Sequence, residues 1–347
     1  MHLRFTNTAI LILVIVLSLT GGYGIIWTLN GWVMELHRIA GWSLIALIPW
    51  KAAISWRSLK RGLGRRPDRN IVVGISIVLA IATLAALAFS VMWAWRIGPD
   101  VLWLYQTTVS WHWIASLILL APLLIHVWRR WPRPQAQDFT SRRAIIRMTG
   151  LGIAGLAGWW IAGRVAAIRV APEHPRRVTG SREHGSGGGN SFPITGELAP
   201  EVSLETWRLT LEGRGQSPLR LTYSDLLTMP CSEWVATLDC TMGWYSVQSW
   251  QGIRLYDLLN VAHLAPGARA VRLKSVTGYS QVFSLIEARH ILLATHVGEE
   301  QLDRWHGYPL RAVVPYRRGW FWVKWLAEVT VLVDPGDPLS SATGMIP

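Results

Sequence analysis

ATLDCTMGWYSVQSWQGIRLYDLL, residues 236–259, is the stretch on which the reading of the chain turns. Trp234 to Leu238 has the composition of a strand, and Cys240 stands where that run ends. Thr241-Met242-Gly243 then supplies a turn. An aromatic cluster follows (Trp244, Tyr245, Trp250), with a second turn expected at Gly252. A lone thiol leaving a strand into a tight turn can present its sulfur to a bound group. A single cysteine can equally be a small buried hydrophobe. The chain has one other cysteine, Cys231, and a Cys231–Cys240 disulfide would compete with any ligand role.

Around this stretch the composition divides the chain. Its 347 residues allow two or three units. Hydrophobic residues make up 51% and charged ones only 16%, and there are 22 tryptophans, a residue that favours membrane–water interfaces. The net charge of +13 is concentrated between apolar stretches. That suits cytoplasmic membrane loops, and no platform for stacking bases accompanies it, so nucleic acid is not an expected partner.

Four stretches, roughly 8–29, 33–54, 71–95 and 101–128, are apolar over about the 20 residues a bilayer crossing takes. A fifth, roughly 144–163, is weaker and rich in Gly and Ala. Lys51, Arg57, Lys60, Arg61, Arg65, Arg66 and Arg69 lie between the second and third. Arg129, Arg130, Arg133, Arg142 and Arg143 follow the fourth, whereas the other two loops are short and nearly uncharged. The bias predicts a multi-pass bacterial plasma-membrane protein with a cytoplasmic N-terminus and a periplasmic C-terminal half. Ser141-Arg142-Arg143-Ala144-Ile145-Ile146-Arg147 looks like an internal twin-arginine export signal; ordinary positive-inside flanking is the plainer reading.

Histidines inside a membrane default to function. Here they are His37 early in the second helix, and His112 and His126 in the fourth. The last two are 14 residues apart, close to four turns, which places them on one face about 21 Å apart. That is the spacing of helices that ligate two stacked b-type haems. An outer haem b held by His37 and His112 is expected; hydrogen bonding between helices is the plainer use of these histidines. An inner one, held by His126 with Lys51 or another group, is the weaker expectation, since Lys51 also reads as a snorkelling anchor. This half loosely resembles four-helix membrane cytochromes b.

Residues 164–200 are dominated by Arg, Pro, Gly and Ser and read as a flexible or extended tether. Beyond them LETWRLTLEG, PLRLTY, EWVATLDC, AVRLKSV, GYSQVFS, LRAVVP and AEVTVLV read as strands, and SDLLTM and YDLLNVAHL as short helices. The fold class is thus multi-domain: an all-α transmembrane bundle followed by an α+β domain. The expected boundaries are 1–130 for the four helices, 131–168 for the twin-arginine segment and fifth helix, 169–203 for the linker, 204–335 for the α+β domain, and 336–347 for a tail.

From Trp207 to Asp334 the ordered pieces WRLTLEG, LTYSDLLTMP, LDCTMGW, WQGIRLYDLL and HGYPLRAVVPYRRGWFWVKWLAEVTV resemble the molybdopterin-binding domain of the sulfite oxidase family. The likeness extends to its methionine-sulfoxide reductase branch. The resemblance implies that Cys240 is the soft thiolate ligand of molybdenum and the catalytic centre, leaving Cys231 as a structural thiol. It implies cofactor contacts from Ser275, His306, Arg311, Trp322, Val323 and Lys324, with Arg311 and Lys324 meeting the pterin phosphate. Two departures count against sulfite as substrate. Thr295 stands eleven residues before His306, where sulfite oxidases carry a catalytic tyrosine, and Thr-Met-Gly-Trp replaces the arginines that follow their cysteine.

Together the halves predict a membrane-anchored molybdenum oxidoreductase in contact with membrane lipid. Haem b would exchange electrons with a quinone pool, and the outer domain would reduce a small S-oxide or N-oxide. The alternative is a haem b electron carrier or sensor with a non-catalytic outer domain.

Overall fold

The computed structural model describes residues 3–28, 31–62, 67–99, 101–130, 135–169, 176–194, 198–213, 218–261 and 267–333. The expected tail, 336–347, lies outside them, as do residues 170–175 and 195–197 of the expected tether. The chain forms two compact units, Met1–Gly180 and Ser181–Pro347.

The first unit is helical: α1 (Leu3–Ile26), α2 (Gly31–Gly62), α3 (Pro67–Trp95), α4 (Thr108–Arg130), the single turn α5 (Gln137–Thr140) and α6 (Arg142–Arg169). The five long helices are each long and apolar enough to cross a membrane. Residues 101–107, expected inside the fourth span, instead form a loop with a short 3-10 turn at Trp103–Tyr105 before α4 starts. Packing is by pairs, α1 on α2 and α3 on α4, with α6 laid along α2. Two of the glycines that weaken α6 as a hydropathy signal make this contact. A Cβ on Gly155 would lie 2.0 Å from the Ser43 hydroxyl, and one on Gly158 3.0 Å from the Trp42 side chain.

The second unit holds two sheets. The first is built on the hairpin of β4 (Ser232–Asp239) and β5 (Trp244–Arg254), antiparallel from Ser232↔Gly252 to Asp239↔Tyr245. β1 (Arg182–Glu183) runs parallel to β5, while β8 (Leu292–Val297) pairs antiparallel with β5 and carries β10 (Arg311–Val313) and β9 (Glu300–Gln301). The second sheet has the order β3 (Leu219–Leu221), β2 (Leu209–Glu212), β11 (Leu326–Leu332), β6 (Ala270–Ser275), β7 (Ser280–Ser284). Short helices α7 (Tyr223–Thr228), α8 (Leu255–Val261) and α9 (Leu285–Ala288) fill the connections. Capping boxes at Thr222–Asp225 and Ser284–Glu287 start α7 and α9.

Three expectations change. Gly252 is no turn; it sits inside β5 at a register shift against β8, where a Cβ would come 2.0 Å from the Leu293 carbonyl oxygen. The strand of 292–297, absent from the sequence reading, is the centre of its sheet. Both its faces are covered, so the alternation that marks a half-buried strand is missing. Finally, residues 181–192 of the expected tether belong to the folded unit. Arg182, His184 and Gly187 donate main-chain bonds to Gly243, Tyr245 and Val247, and Phe192 is buried in the core. A Gly- and Ser-rich composition hides order that comes from main-chain bonds rather than an apolar face.

Candidate active site

Cys240 leaves β4 as expected. Its N–H donates to the Trp244 carbonyl at 2.8 Å and its carbonyl accepts from Gly243 N–H at 3.0 Å, with Gly243 at φ +89. The positive φ is one that glycine adopts without Cβ strain, and it returns the chain at once into β5. The thiol is buried and accepts from Met242 N–H at 3.5 Å. Burial pushes its pKa up to about 11, against the pull of the Met242 N–H and of the Arg318 and Lys324 charges. Cys231 sits at the far end of β4, about 30 Å away at strand rise, and is exposed; both thiols are free. The disulfide alternative is excluded, and Cys231 is a surface thiol rather than a structural one.

The expected cations gather around Gly307. At φ +109, a Cβ there would meet Arg311 Cβ at 3.0 Å and Lys324 Cβ at 3.2 Å, so the bare glycine lets the 306–307 turn lie against both. Arg311 is 2% exposed, which excludes a surface ion pair. Its guanidinium donates to the His306 carbonyl at 2.8 Å and lies 5.0, 5.8 and 5.9 Å from the Trp250, Trp322 and Phe192 ring centroids. Lys324 stands 4.6 Å over the Trp325 ring. Trp325 itself holds φ +51, a strained conformation for a bulky residue, and its N–H reaches the Gly307 carbonyl. Ser275 is buried at the end of β6 opposite Leu326, accepting from Thr277 N–H and Oγ1 at 3.2 and 3.1 Å.

Other expected cofactor contacts are differently employed. His306 Nδ1 faces Asp303 Oδ1 at 2.8 Å and Nε2 faces the Phe192 carbonyl at 2.9 Å. Burial pulls the His306 pKa down, against the Phe192 carbonyl and the Asp303 carboxylate, which favour the protonated ring. Its polar atoms thus tie the 181–192 segment to the 303–306 turn. The main-chain N–H groups of Trp322 and Val323 are spent inside their own loop, on Gly319 and Phe321, and the Val323 carbonyl accepts from Ala312. Trp322 offers its indole as packing beside Trp250, with ring centroids 5.5 Å apart. Thr295, in the position of the sulfite oxidase tyrosine, is buried; its hydroxyl lies 2.9 Å from His296 Nδ1.

Sequence reading missed Ser181, Asp239 and Arg318. Arg318 is 5% exposed, and Nη1 donates to Asp239 Oδ1 at 2.7 Å while Nη2 donates to the Cys240 carbonyl at 2.9 Å. Ser181 Oγ donates to the same Asp239 oxygen at 2.7 Å. No motif pairs these positions; the signal available was one more arginine in PYRRGW.

In the helical unit the rings of His37 and His112 face each other edge to face, centroids 6.2 Å apart. Thr20 gives its proton to the Val16 carbonyl at 2.6 Å, so its oxygen accepts from His37 Nδ1–H at 2.8 Å. His112 Nδ1–H donates to the Ala86 carbonyl at 2.8 Å. Both rings then keep an Nε2 lone pair. His126 and Lys51 turn to different neighbours, His126 Nδ1 to Ser76 at 3.3 Å and Lys51 to Asn7 at 2.9 Å. Among the described residues no three His, Cys, Asp or Glu side chains cluster to hold a metal ion. A metal at either place would take its remaining ligands from a prosthetic group.

A soft buried thiol that feels the Arg318 and Lys324 charges, with a glycine turn lying against Arg311 and Lys324, fits a molybdenum held by an anionic pterin. Residues 196–338 match the family of the oxidoreductase molybdopterin binding domain. The chain is 26% identical over 234 residues to the protein-methionine-sulfoxide reductase catalytic subunit MsrP of Gluconobacter oxydans, covering 58% of this chain and 75% of that one. It is 29% identical over 169 residues to the sulfite oxidase of Arabidopsis thaliana, covering 38% of this chain and 43% of that one. To the uncharacterized oxidoreductase YuiH of Bacillus subtilis it is 31% identical over 144 residues, 40% of this chain and 73% of that one. Likeness at that identity, across nearly three quarters of the relative, makes the chain a member of the molybdopterin-binding oxidoreductase family and a molybdenum-dependent oxidoreductase.

Proposed function

We propose that the protein is a membrane-anchored reductase of a small S-oxide or N-oxide, drawing electrons from the quinone pool through haem b. The facing pair of His37 and His112 carries the haem assignment. His37 and His112, with ring centroids 6.2 Å apart, would hold the haem through the Nε2 atoms that their hydrogen bonds leave unused, and the haem would supply one-electron transfer. Each Nδ1 already donates to an oxygen, the arrangement that fixes the tautomer of a ligating histidine. The inner haem is not part of the proposal, because Lys51 and His126 face different partners.

Orientation rests on the Lys and Arg bias of the loops, which puts the N-terminus in the cytoplasm and the second unit on the periplasmic side of a bacterial plasma membrane. The segment Ser141–Arg147 would serve as the export signal. At the outer site, molybdenum supplies two-electron oxygen-atom transfer when bound. Cys240 would hold the metal. Arg311 and Lys324 would neutralise the pterin phosphate, and Ser275 would offer a hydroxyl to the cofactor. Trp250, Trp322 and Phe192 exclude water around Arg311. Thr295 in place of a tyrosine, with no arginine directly after Cys240, favours a neutral oxide over sulfite; the name of the Gluconobacter relative points the same way.

The test is molybdenum analysis and a reduced-minus-oxidised visible spectrum on detergent-purified protein, followed by reoxidation of quinol-reduced haem on adding methionine sulfoxide or trimethylamine N-oxide. Molybdenum and haem b near one each per chain, with haem reoxidised by an oxide, is the expected result. Haem without molybdenum, in cells that make the cofactor, would leave the electron-carrier reading. Molybdenum without haem would remove the roles given to His37 and His112.

A further inference from the structure

Behind Cys240 lies a buried ion pair. Asp239 is fully buried and Arg318 5% exposed, 2.7 Å apart. Asp239 also accepts from Ser181, and Arg318 reaches past it to the Cys240 carbonyl. The loop that carries Arg318 is pressed on the cysteine: a Cβ on Gly319 would stand 3.5 Å from Cys240 Cα and 3.1 Å from the Leu238 side chain. Arg318 Nε is buried with no hydrogen-bond partner, so the guanidinium is committed through its two outer nitrogens alone. A buried ion pair is poorly explained by stability, since its desolvation offsets most of its attraction. Its charges are felt strongly by neighbours, because little water screens them.

We propose that Arg318 and Asp239 are positioning residues for the molybdenum ligand. The guanidinium locks the Cys240 main chain and sets a fixed positive charge beside the thiolate, and Asp239 sets an opposing negative one. The two act on the metal's reduction potential in opposite directions. This rests on the reading of Cys240 as the molybdenum ligand. The guanidinium touches the cysteine's own carbonyl while the carboxylate belongs to the residue before it, so the positive charge has the larger effect. A mere packing role for the pair would give no sign to the shift.

The experiment is a redox titration of the purified holoenzyme, following the Mo(V) electron paramagnetic resonance signal, with molybdenum content measured beside it. Asp239→Asn is expected to raise the midpoint and Arg318→Gln to lower it. Arg318→Lys keeps the charge and is expected to hold the wild-type midpoint. Each neutralising variant strands a buried charge and is open to misfolding. The Asp239→Asn/Arg318→Gln double variant, which removes both charges of the pair together, is therefore included and is expected to show a smaller downward shift than Arg318→Gln. Midpoints that stay at the wild-type value, or that move the same way in both single variants, would overturn the proposal. So would an unshifted double variant where the singles do not fold. A wild-type protein free of molybdenum would instead overturn the ligand reading of Cys240 beneath it.

Discussion

The helical unit and the second unit place their polar side chains by opposite means. In the helices, polar side chains lean on the main chain of their own helix. Thr20 donates to Val16, Ser43 to Ile39, Thr83 to Leu79 and Ser116 to His112. His37 and His112 are held by one oxygen each on a neighbouring helix. Helical period alone sets which face they occupy. In the second unit, charged groups are buried together and held by tertiary contacts: Asp239 by Ser181 and Arg318, and Arg311 by His306 and three aromatic rings. A histidine on a helix can be lost with the scaffold intact. A buried charged side chain in the second unit is part of what holds its surroundings.

The largest effect expected from this contrast is a clean separation of the proposed haem from the molybdenum site. His37→Ala or His112→Ala is expected to abolish the haem band and quinol-driven turnover while leaving molybdenum content and dye-driven turnover near wild type. Cys240→Ala is expected to do the reverse, removing all turnover and keeping the haem spectrum. Loss of both cofactors in any one variant, measured by metal analysis and visible spectra, would break the comparison.

Next is the backbone on which the site is hung. Gly252→Val places a side chain against the Leu293 carbonyl, at the point where β5 shifts register on the central strand β8. The outer domain is expected to lose about 3 kcal/mol, the upper end of overpacking costs, read as a drop in its denaturation midpoint. Gly22→Ala on α1 has no atom within 4 Å to meet and is expected to leave the helices unchanged.

The same contrast governs what could be read beforehand. The helices were legible because a run of apolar residues is a one-dimensional signal, and the facing of His37 and His112 because the second and fourth spans run in the same direction; the 14-residue spacing of His112 and His126 fixes only their shared face. Cys240 was legible as the end of a strand, and Arg311 and Lys324 through family motifs. Arg318 and Asp239 were not: 79 residues separate them and only the folded sheet brings them together. β8 was hidden by burial on both faces, and the 181–192 segment by a composition that mimics a tether. His306 lies beside Arg311, which donates to its carbonyl, while its ring nitrogens are taken up by Asp303 and Phe192, contacts that no motif announces.

Acidity gives a smaller effect that sharpens the difference. Burial moves the Cys240 thiol from an ordinary 9.0 to about 11. In metal-free protein the unfolded chain loses this proton first, near pH 9, while the folded domain keeps it. The contribution to stability is therefore whole below pH 9 and is lost as pH rises towards 11, about 2–3 kcal/mol in all at ~1.4 kcal/mol per pH unit. Thermal melts of the metal-free protein across that window are expected to show this slope in wild type and to lack it in Cys240→Ala. An equal slope in both would mean that the thiol is not held neutral by its surroundings.

The smallest effect separates folding from chemistry altogether. Thr222 accepts from Asp225 N–H at 3.1 Å, and Asp225 accepts from Thr222 N–H at 2.8 Å, closing the box that starts α7. The hydroxyl of Thr222 also pulls the Asp225 carboxyl below the usual range, by holding its charged form. The Thr222→Ala change removes an N-cap and is expected to cost the outer domain about 1 kcal/mol, seen in chemical denaturation. Molybdenum content and the haem spectrum are expected to stay at wild-type values, because α7 starts the chain's return to the hairpin without itself touching Cys240, Arg311 or Lys324. A fall in molybdenum content on so small a loss would show that the site depends on the domain's stability as a whole rather than on the contacts named around the cysteine.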